Sequence, residues 1–267
     1  MEEFGAVGEN LRHTLRAFGR ATGAGEIREY PGLTLASSGV GAPLFNAALV
    51  VPPGPVDAGE LERRTQSAAV FYGARGLQWS LWIDEHLLEE RLRRQAGDLL
   101  AKRGLRPVAH CPGMVAERLP APRRQLPAVE FRPVLGAVER LAFCHIMVAT
   151  FEIPFESARR FYQPDELWAS GFTGYVGYVG GNAVATAATM VAAEVVGVYA
   201  VATLPAWRRR GFGEAVTRHA LAEARRVSGI ERSVLQSTQS GLSLYRQMGY
   251  RQVTTFDVYK SDPPTPA

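Results

Sequence analysis

Cysteine and lysine are both scarce in these 267 residues: Cys111 and Cys144 are the only thiols, Lys102 and Lys260 the only lysines. With no C-x-x-C and no histidine pair at ligand spacing, a disulfide framework and a zinc site are not expected, and both thiols read as buried apolar groups. Long apolar runs are missing too. Nothing approaches the roughly eighteen residues that a membrane-crossing helix needs. The acidic start Met1-Glu2-Glu3 lacks the basic-then-apolar pattern of a signal peptide, so a cytoplasmic protein without membrane contact is expected. The net charge of +4 rests almost wholly on arginine. Those arginines are scattered among Asp and Glu, and no aromatic residues interleave with a basic run, which argues against a nucleic-acid surface. At 46% hydrophobic and 21% charged residues the chain is neither disordered nor fibrous, and it is long enough for two modest domains.

The most informative stretch is residues 194–213, EVVGVYAVATLPAWRRRGFG. Its apolar, β-branched and aromatic part, 195–201, fits a buried strand, because Pro205 would break a helix drawn through it. Beyond it come Arg208, Arg209, Arg210, Gly211, Phe212 and Gly213, then a helical pattern with Phe212, Val216, Ala220, Ala224 and Val227 on one face. The glycines thus stand at a helix N-terminus. There, unpaired amide N–H groups and the positive end of the helix dipole favour an anion, and the lack of a Cβ lets backbone close around it. This is the pattern of a phosphate or pyrophosphate cradle, although R-x-x-G-x-G alone also fits a basic loop before a glycine-started helix.

A second motif follows at the spacing that one helix and one strand require. Residues 232–236 (RSVLQ) read as a short strand, Ser240 as an N-cap, 241–248 as a short helix stopped by Gly249, and 250–259 as a last strand. The pattern Leu244-Tyr245-x-x-x-Gly249-Tyr250, after Arg208-x-x-Gly211-x-Gly213, resembles the GNAT superfamily of acetyl-CoA-dependent N-acyltransferases over residues 130–260. The resemblance implies an α/β (α+β) mixed-sheet fold, acetyl-CoA as co-substrate, an amine acceptor, and a monomer or homodimer. It also implies that a central strand pair splays apart to hold the cofactor. Val201, Ala202 and Thr203 would then contact its pantetheine, Arg208, Arg209, Arg210, Gly211, Phe212, Gly213 and Glu214 its pyrophosphate, and Thr238 and Tyr245 would lie along it.

The first half reads as a helix over 11–20, strands over 28–37 (broken at Pro31-Gly32) and 44–51, and a helix from the N-cap Asp57 to about 73–76. A strand over 78–84, a helix over 87–103 and a strand over 106–111 complete it. That order repeats the order from 194 onward, so two GNAT-like domains are expected: 1–128, 129–260, and a flexible tail over 261–267. The prolines of 117–128 read as the linker. After its central strand the first half carries PPGPVDAGE, with prolines where amide donors are needed, so it reads as having lost the cofactor site. It would wall the acceptor cleft or bind something of its own. In the second half, helices are expected over 135–148 and 155–162, and strands over 173–179 and 183–190 joined by Gly180-Gly181-Asn182.

Acyl transfer to an amine needs a free amine and a stabilised leaving thiolate. An amine of pKa about 10 is only about one part in a thousand deprotonated at pH 7, so a base must help. The resemblance puts Tyr245 in the place of the general acid, where a core tyrosine is the plain alternative. Family members often carry a glutamate on the fourth or fifth strand, but the matching positions here hold Gly197 and Ser233, and Glu194 has the opposite strand parity. Glu152, in FEIPFES between two helices, is the candidate base, and fits an exposed loop carboxylate equally well. His145 reads as a core histidine, and Tyr199, sharing parity with Gly197 and Val201, would line the cleft. A chain of waters could replace the base. The rival reading is a non-catalytic acyl-CoA binder, a sensor that kept the cradle and lost the base.

Overall fold

The computed structural model describes residues 3–263. The first half runs α1 (Glu3–Phe18), β1 (Glu26–Tyr30), β2 (Leu33–Ser37), β3 (Asn46–Val50), α2 (Ala58–Gly73), β4 (Ser80–Asp84), α3 (Glu90–Arg93), α4 (Ala96–Ala101) and β5 (Leu105–Ala116). The second runs β6 (Glu130–Pro133), α5 (Ala137–Phe151), α6 (Phe155–Tyr162), α7 (Asp165–Ala169), β7 (Phe172–Val179), β8 (Asn182–Ala192), β9 (Val195–Thr203), α8 (Phe212–Ser228), β10 (Ser233–Gln236), α9 (Leu242–Gln247) and β11 (Arg251–Ser261). The last residues of the expected tail, 264–267, lie outside the described residues. No described helix is long and apolar enough to cross a membrane.

All eleven strands form one sheet, in the order β1-β2-β3-β4-β11-β5-β10-β9-β8-β7-β6. Only β3/β4 and β9/β10 pair in parallel. The centre of the sheet is an exchange: β11, from the end of the chain, inserts between β4 and β5, and β5, from the first half, inserts between β11 and β10. Each half therefore completes its sheet with a strand of the other. The sheet is sandwiched by helices, with α2, α8 and α9 on one face and α1 and α5 on the other, as strand alternation shows. In β3, Ala48 and Val50 join the α2 cluster while Ala47 and Leu49 join the α1 cluster; in β9, Val196 and Val198 face α9 while Val195 faces α1.

Local structure departs from the sequence pattern at several places. The single helix expected over 87–103 is broken into α3 and α4, around Arg94 and Gln95. Gly97 and Asp98 weaken helix propensity there, while Leu92, Ala96 and Leu100 all stay buried in the α2 cluster. The first helix begins at Glu3, eight residues before the expected Leu11, because Ala6, Val7 and Asn10 are buried on the sheet. His145 is exposed on α5 and stacks on Phe155 at 5.3 Å, so it is not a core histidine. Both cysteines are buried and unpaired.

Candidate active site

The parallel pair β9/β10 stays in register only from Ser233↔Val196 to Leu235↔Val198. Beyond that β9 runs on to Thr203, while Gln236, the last residue of β10, keeps only its pairing with Gly113 of β5 on the other side. The two strands part at their C-terminal ends, the place in an open α/β sheet where ligands enter. A bulge widens the gap: Ala200 has φ +49°, and the Thr186 hydroxyl donates to its carbonyl at 2.9 Å. The bulge also shifts strand parity. Tyr199 packs toward α1, whereas Val201 packs with the α8 and α9 clusters, so the two do not share a face as simple alternation suggests. Val201, Ala202 and Thr203 form the end of β9 that borders the gap.

At the mouth of the gap the chain turns through Arg209 (φ +59°) and Gly211 (φ +91°) into α8. The first amide of this turn to find a backbone acceptor is that of Ala215, bonded to the Gly211 carbonyl at 2.9 Å; among the described residues those of 209–214 find none. Gly211 is needed for its left-handed φ, and Gly213 for closeness, since a Cβ there would lie 3.3 Å from Thr203 Oγ1. Arg208, Arg209 and Arg210 are exposed. Arg208 Nε donates to the Thr203 carbonyl at 3.1 Å, and the Arg210 guanidinium lies over the Trp207 ring at 4.8 Å. The Glu214 side chain is buried against Arg218 at 2.9 Å, leaving only its amide for the turn. A residue missed by sequence reasoning joins them: Arg124 of the linker, whose Nη2 lies 3.6 Å from where a Gly211 Cβ would be. Nothing in its local pattern marks it.

The matching turn in the first half is closed. Asp57 caps α2 by accepting from the Glu60 amide at 2.7 Å, which fills with a fixed carboxylate the position where a phosphate would bind.

Tyr245 lies on α9 among Val196, Val198 and Leu235 and meets Tyr250 edge-on at 5.7 Å. Burial pushes its pKa well above the ordinary phenol value, so at neutral pH it holds its proton. Gly241, rather than Ser240, is the N-cap of α9, and Thr238 Oγ1 accepts from its amide at 3.2 Å. Glu152 ends α5 with φ +53°, exposed, on the opposite face of the sheet from α9. It and Tyr245 could act on one substrate only through the gap. Ser233 is buried and bonded to the Tyr250 hydroxyl at 2.7 Å, and Glu194 sits in the turn between β8 and β9 with φ +58°.

The position of Gly197 is filled from elsewhere. Asn10 of α1, fully buried, donates to the carbonyls of Met190 (3.1 Å) and Ala192 (3.0 Å) and accepts from the Tyr199 hydroxyl at 2.7 Å. A Cβ on Gly197 would lie 1.8 Å from Asn10 Oδ1. The first half thus supplies the side chain that occupies this part of β9.

Residues 170–252, from the start of β7 to the start of β11, match the family model of an acetyltransferase (GNAT) domain. No curated protein matches the chain. Among solved structures the chain is similar to a GCN5-related N-acetyltransferase from Kribbella flavida, at 22% identity over 98% of this chain and 96% of that one, with a TM-score of 0.72. It is also similar to a GCN5-related N-acetyltransferase from Sphaerobacter thermophilus (16% identity, 88% and 78% covered, TM-score 0.58). A tandem GNAT protein from the clavulanic acid biosynthesis pathway shares the fold as well (12% identity, 88% and 79% covered, TM-score 0.54). Residues 170–252 thus match an acetyltransferase (GNAT) domain, and the fold shared with the solved structures extends over nearly the whole chain.

Proposed function

We propose that the protein moves the acetyl group of acetyl-CoA to an amine, using the gap between β9 and β10. The observation that carries this reading is the run of acceptor-free amides over 209–214 at the start of α8, beside the unpaired end of β9. These fit the group: the amides and Arg208 to Arg210 would hold the pyrophosphate, with Arg124 alongside, and Val201, Ala202 and Thr203 would hold the pantetheine. Thr238, which holds the Gly241 amide before α9, would border it. Acetyl-CoA supplies the thioester. The amine nitrogen attacks the carbonyl carbon, the C–N bond forms, the C–S bond breaks, and the thiolate takes a proton from Tyr245. An ordinary phenol, at about pKa 10, is already uphill of a thiol at about 8.5 by roughly 2 kcal/mol, and burial lifts Tyr245 further, so the transfer relies on an apolar site that disfavours the bare thiolate still more than the phenolate. The surroundings of Tyr245 are of that kind. Glu152 is the base we assign, acting directly or through water, in a cytoplasmic enzyme.

Titration calorimetry with acetyl-CoA, followed by thiol release against a panel of amines, tests the reading. Tyr245→Phe is expected to leave acetyl-CoA affinity within about threefold and to lower kcat by about 10²-fold, the usual size of a general-acid effect. Glu152→Gln should lower kcat/KM by at least about tenfold, most strongly below the amine pKa. Unchanged kcat in both would sink the assigned roles. The rival, a binder without turnover, is favoured by one observation: neither Gly197 nor Ser233 offers a carboxylate on the strands. Tight binding with no thiol release would select it.

A further inference from the structure

In the first half, β3 and β4 are in parallel register only from Ala47↔Ser80 to Leu49↔Trp82, and then part as β9 and β10 do. A cavity of about 270 Å³ lies at their C-terminal ends under α1. Its wall is apolar, built by Phe4, Leu49, Val51, Leu87 and Phe256, with one deeply buried acidic group, Asp84, which is 4% exposed and whose pKa burial raises. Both hydrogen bonds to that carboxylate, from the Thr254 hydroxyl and the His86 amide, end on Oδ1. Oδ2 takes no hydrogen bond from the described residues. Among the described residues no arginine or lysine pairs with it: the charged neighbours that act on it are His86 and Glu85, and the His86 ring is turned to the Val253 carbonyl (3.2 Å) and stacked on Phe4 (4.7 Å). Glu9, at the rim, is already held by Arg12 and His13, each at 3.5 Å. On α1, Gly8 keeps the space open, since a Cβ there would meet nothing within 4 Å.

We infer that this cavity is a second binding site, for a small primary amine with an apolar body, whose ammonium group pairs with Asp84 Oδ2 while the body fills the space beside Gly8. The physical reason is complementarity: an unpaired buried carboxylate is costly, and a cation with an apolar flank removes the cost while displacing water from apolar walls. The volume suits about ten non-hydrogen atoms, below the size of drug-sized ligands. A nucleotide is excluded here by the closed Asp57 turn. The inference does not rest on the acetyl-CoA site, which lies in the other half.

The test uses the full chain with phenethylamine as the probe and 3-phenylpropanoate as its anionic counterpart, read by calorimetry and thermal shift. Phenethylamine is expected to bind with Kd below about 1 mM and the carboxylate at least about tenfold more weakly. Asp84→Asn should weaken the amine by at least about tenfold. Gly8→Leu, which fills the open space and improves helix propensity, should abolish amine binding while leaving acetyl-CoA affinity as in the parent. If Asp84→Asn does not fold, Gly8→Leu decides. Absence of binding to the parent at about 10 mM, equal binding of amine and carboxylate, or undiminished amine binding in the Gly8→Leu protein overturns the inference.

Discussion

Gly197→Glu, the substitution that would restore a carboxylate on the strand where related enzymes often carry one, is expected to yield an unfolded or grossly destabilised protein rather than a faster enzyme. Any Cβ at 197 would lie 1.8 Å from Asn10 Oδ1 and 2.5 Å from Tyr199 Cε2, far inside van der Waals contact. To make room Asn10 must leave, and with it go its bonds to the Met190 and Ala192 carbonyls and from the Tyr199 hydroxyl. Each orphaned buried group costs about 1–3 kcal/mol, so the sum is a large share of the roughly 5–15 kcal/mol that holds a domain folded. Thermal unfolding of the milder Gly197→Ala checks the claim. A loss of about 10 °C or more is expected, from a conversion of roughly 2–4 °C per kcal/mol for chains of this size. Placing the same change in an Asn10→Ala background, where the clash is gone, should shrink the added penalty to a small fraction. A Gly197→Ala protein melting within about 3 °C of the parent would show that Asn10 does not sit against this glycine. The consequence reaches function: α1 fills the space at position 197, so a base acting in this gap would have to come from off the strands.

Why the sequence shows some of this and hides the rest follows from distance along the chain. The turn at 208–213 is legible because every part of it is local: a strand end, a left-handed glycine and a helix start within a few residues. The hairpin turn at Gly180-Gly181 and the cap at Asp57 are legible for the same reason. Asn10 is not, because its partners lie 180 or more residues away and a lone Asn in a helix carries no pattern of its own. Nor is the exchange of β5 and β11. Each is a strand whose pattern would read the same whichever half it completed, and register across such a pair is set by tertiary contact. The parity of β9 failed at a bulge that depends on Thr186, a residue of the neighbouring strand, bonding the Ala200 carbonyl. In the first half the prolines after β3 stand out in the sequence, while the cavity under α1 needed Phe4, Asp84 and Phe256 to be brought together by the fold.

Gly211→Asp is expected to lower acetyl-CoA affinity by at least about 100-fold while the protein stays folded, and the first half of the chain explains why both should hold. At φ +91° a non-glycine residue is strained by roughly 1–2 kcal/mol, and the new Cβ would approach Pro127 Cδ at 3.0 Å, a contact the irregular linker can relax. Against this, the carboxylate would stand at the N-terminus of α8 and accept from amides that otherwise have no partner, worth about 1 kcal/mol. Asp57 already does this for α2, which is a full-length helix on a closed turn. Fold stability is therefore expected to shift by no more than about 1–2 kcal/mol, seen as a small change in denaturant midpoint. The same carboxylate would remove the amide donors and place a negative charge where the pyrophosphate would lie, and two like charges about 4 Å apart near a protein surface repel by roughly 4 kcal/mol, close to a thousandfold. Gly211→Ala separates strain from charge, since it carries the Cβ without the carboxylate and should lose less than about tenfold in affinity. Calorimetry on both proteins reads the difference. If Asp and Ala weaken binding equally, backbone geometry alone governs the site; if neither weakens it, acetyl-CoA does not use this turn, and the gap between β9 and β10 must be assigned another ligand.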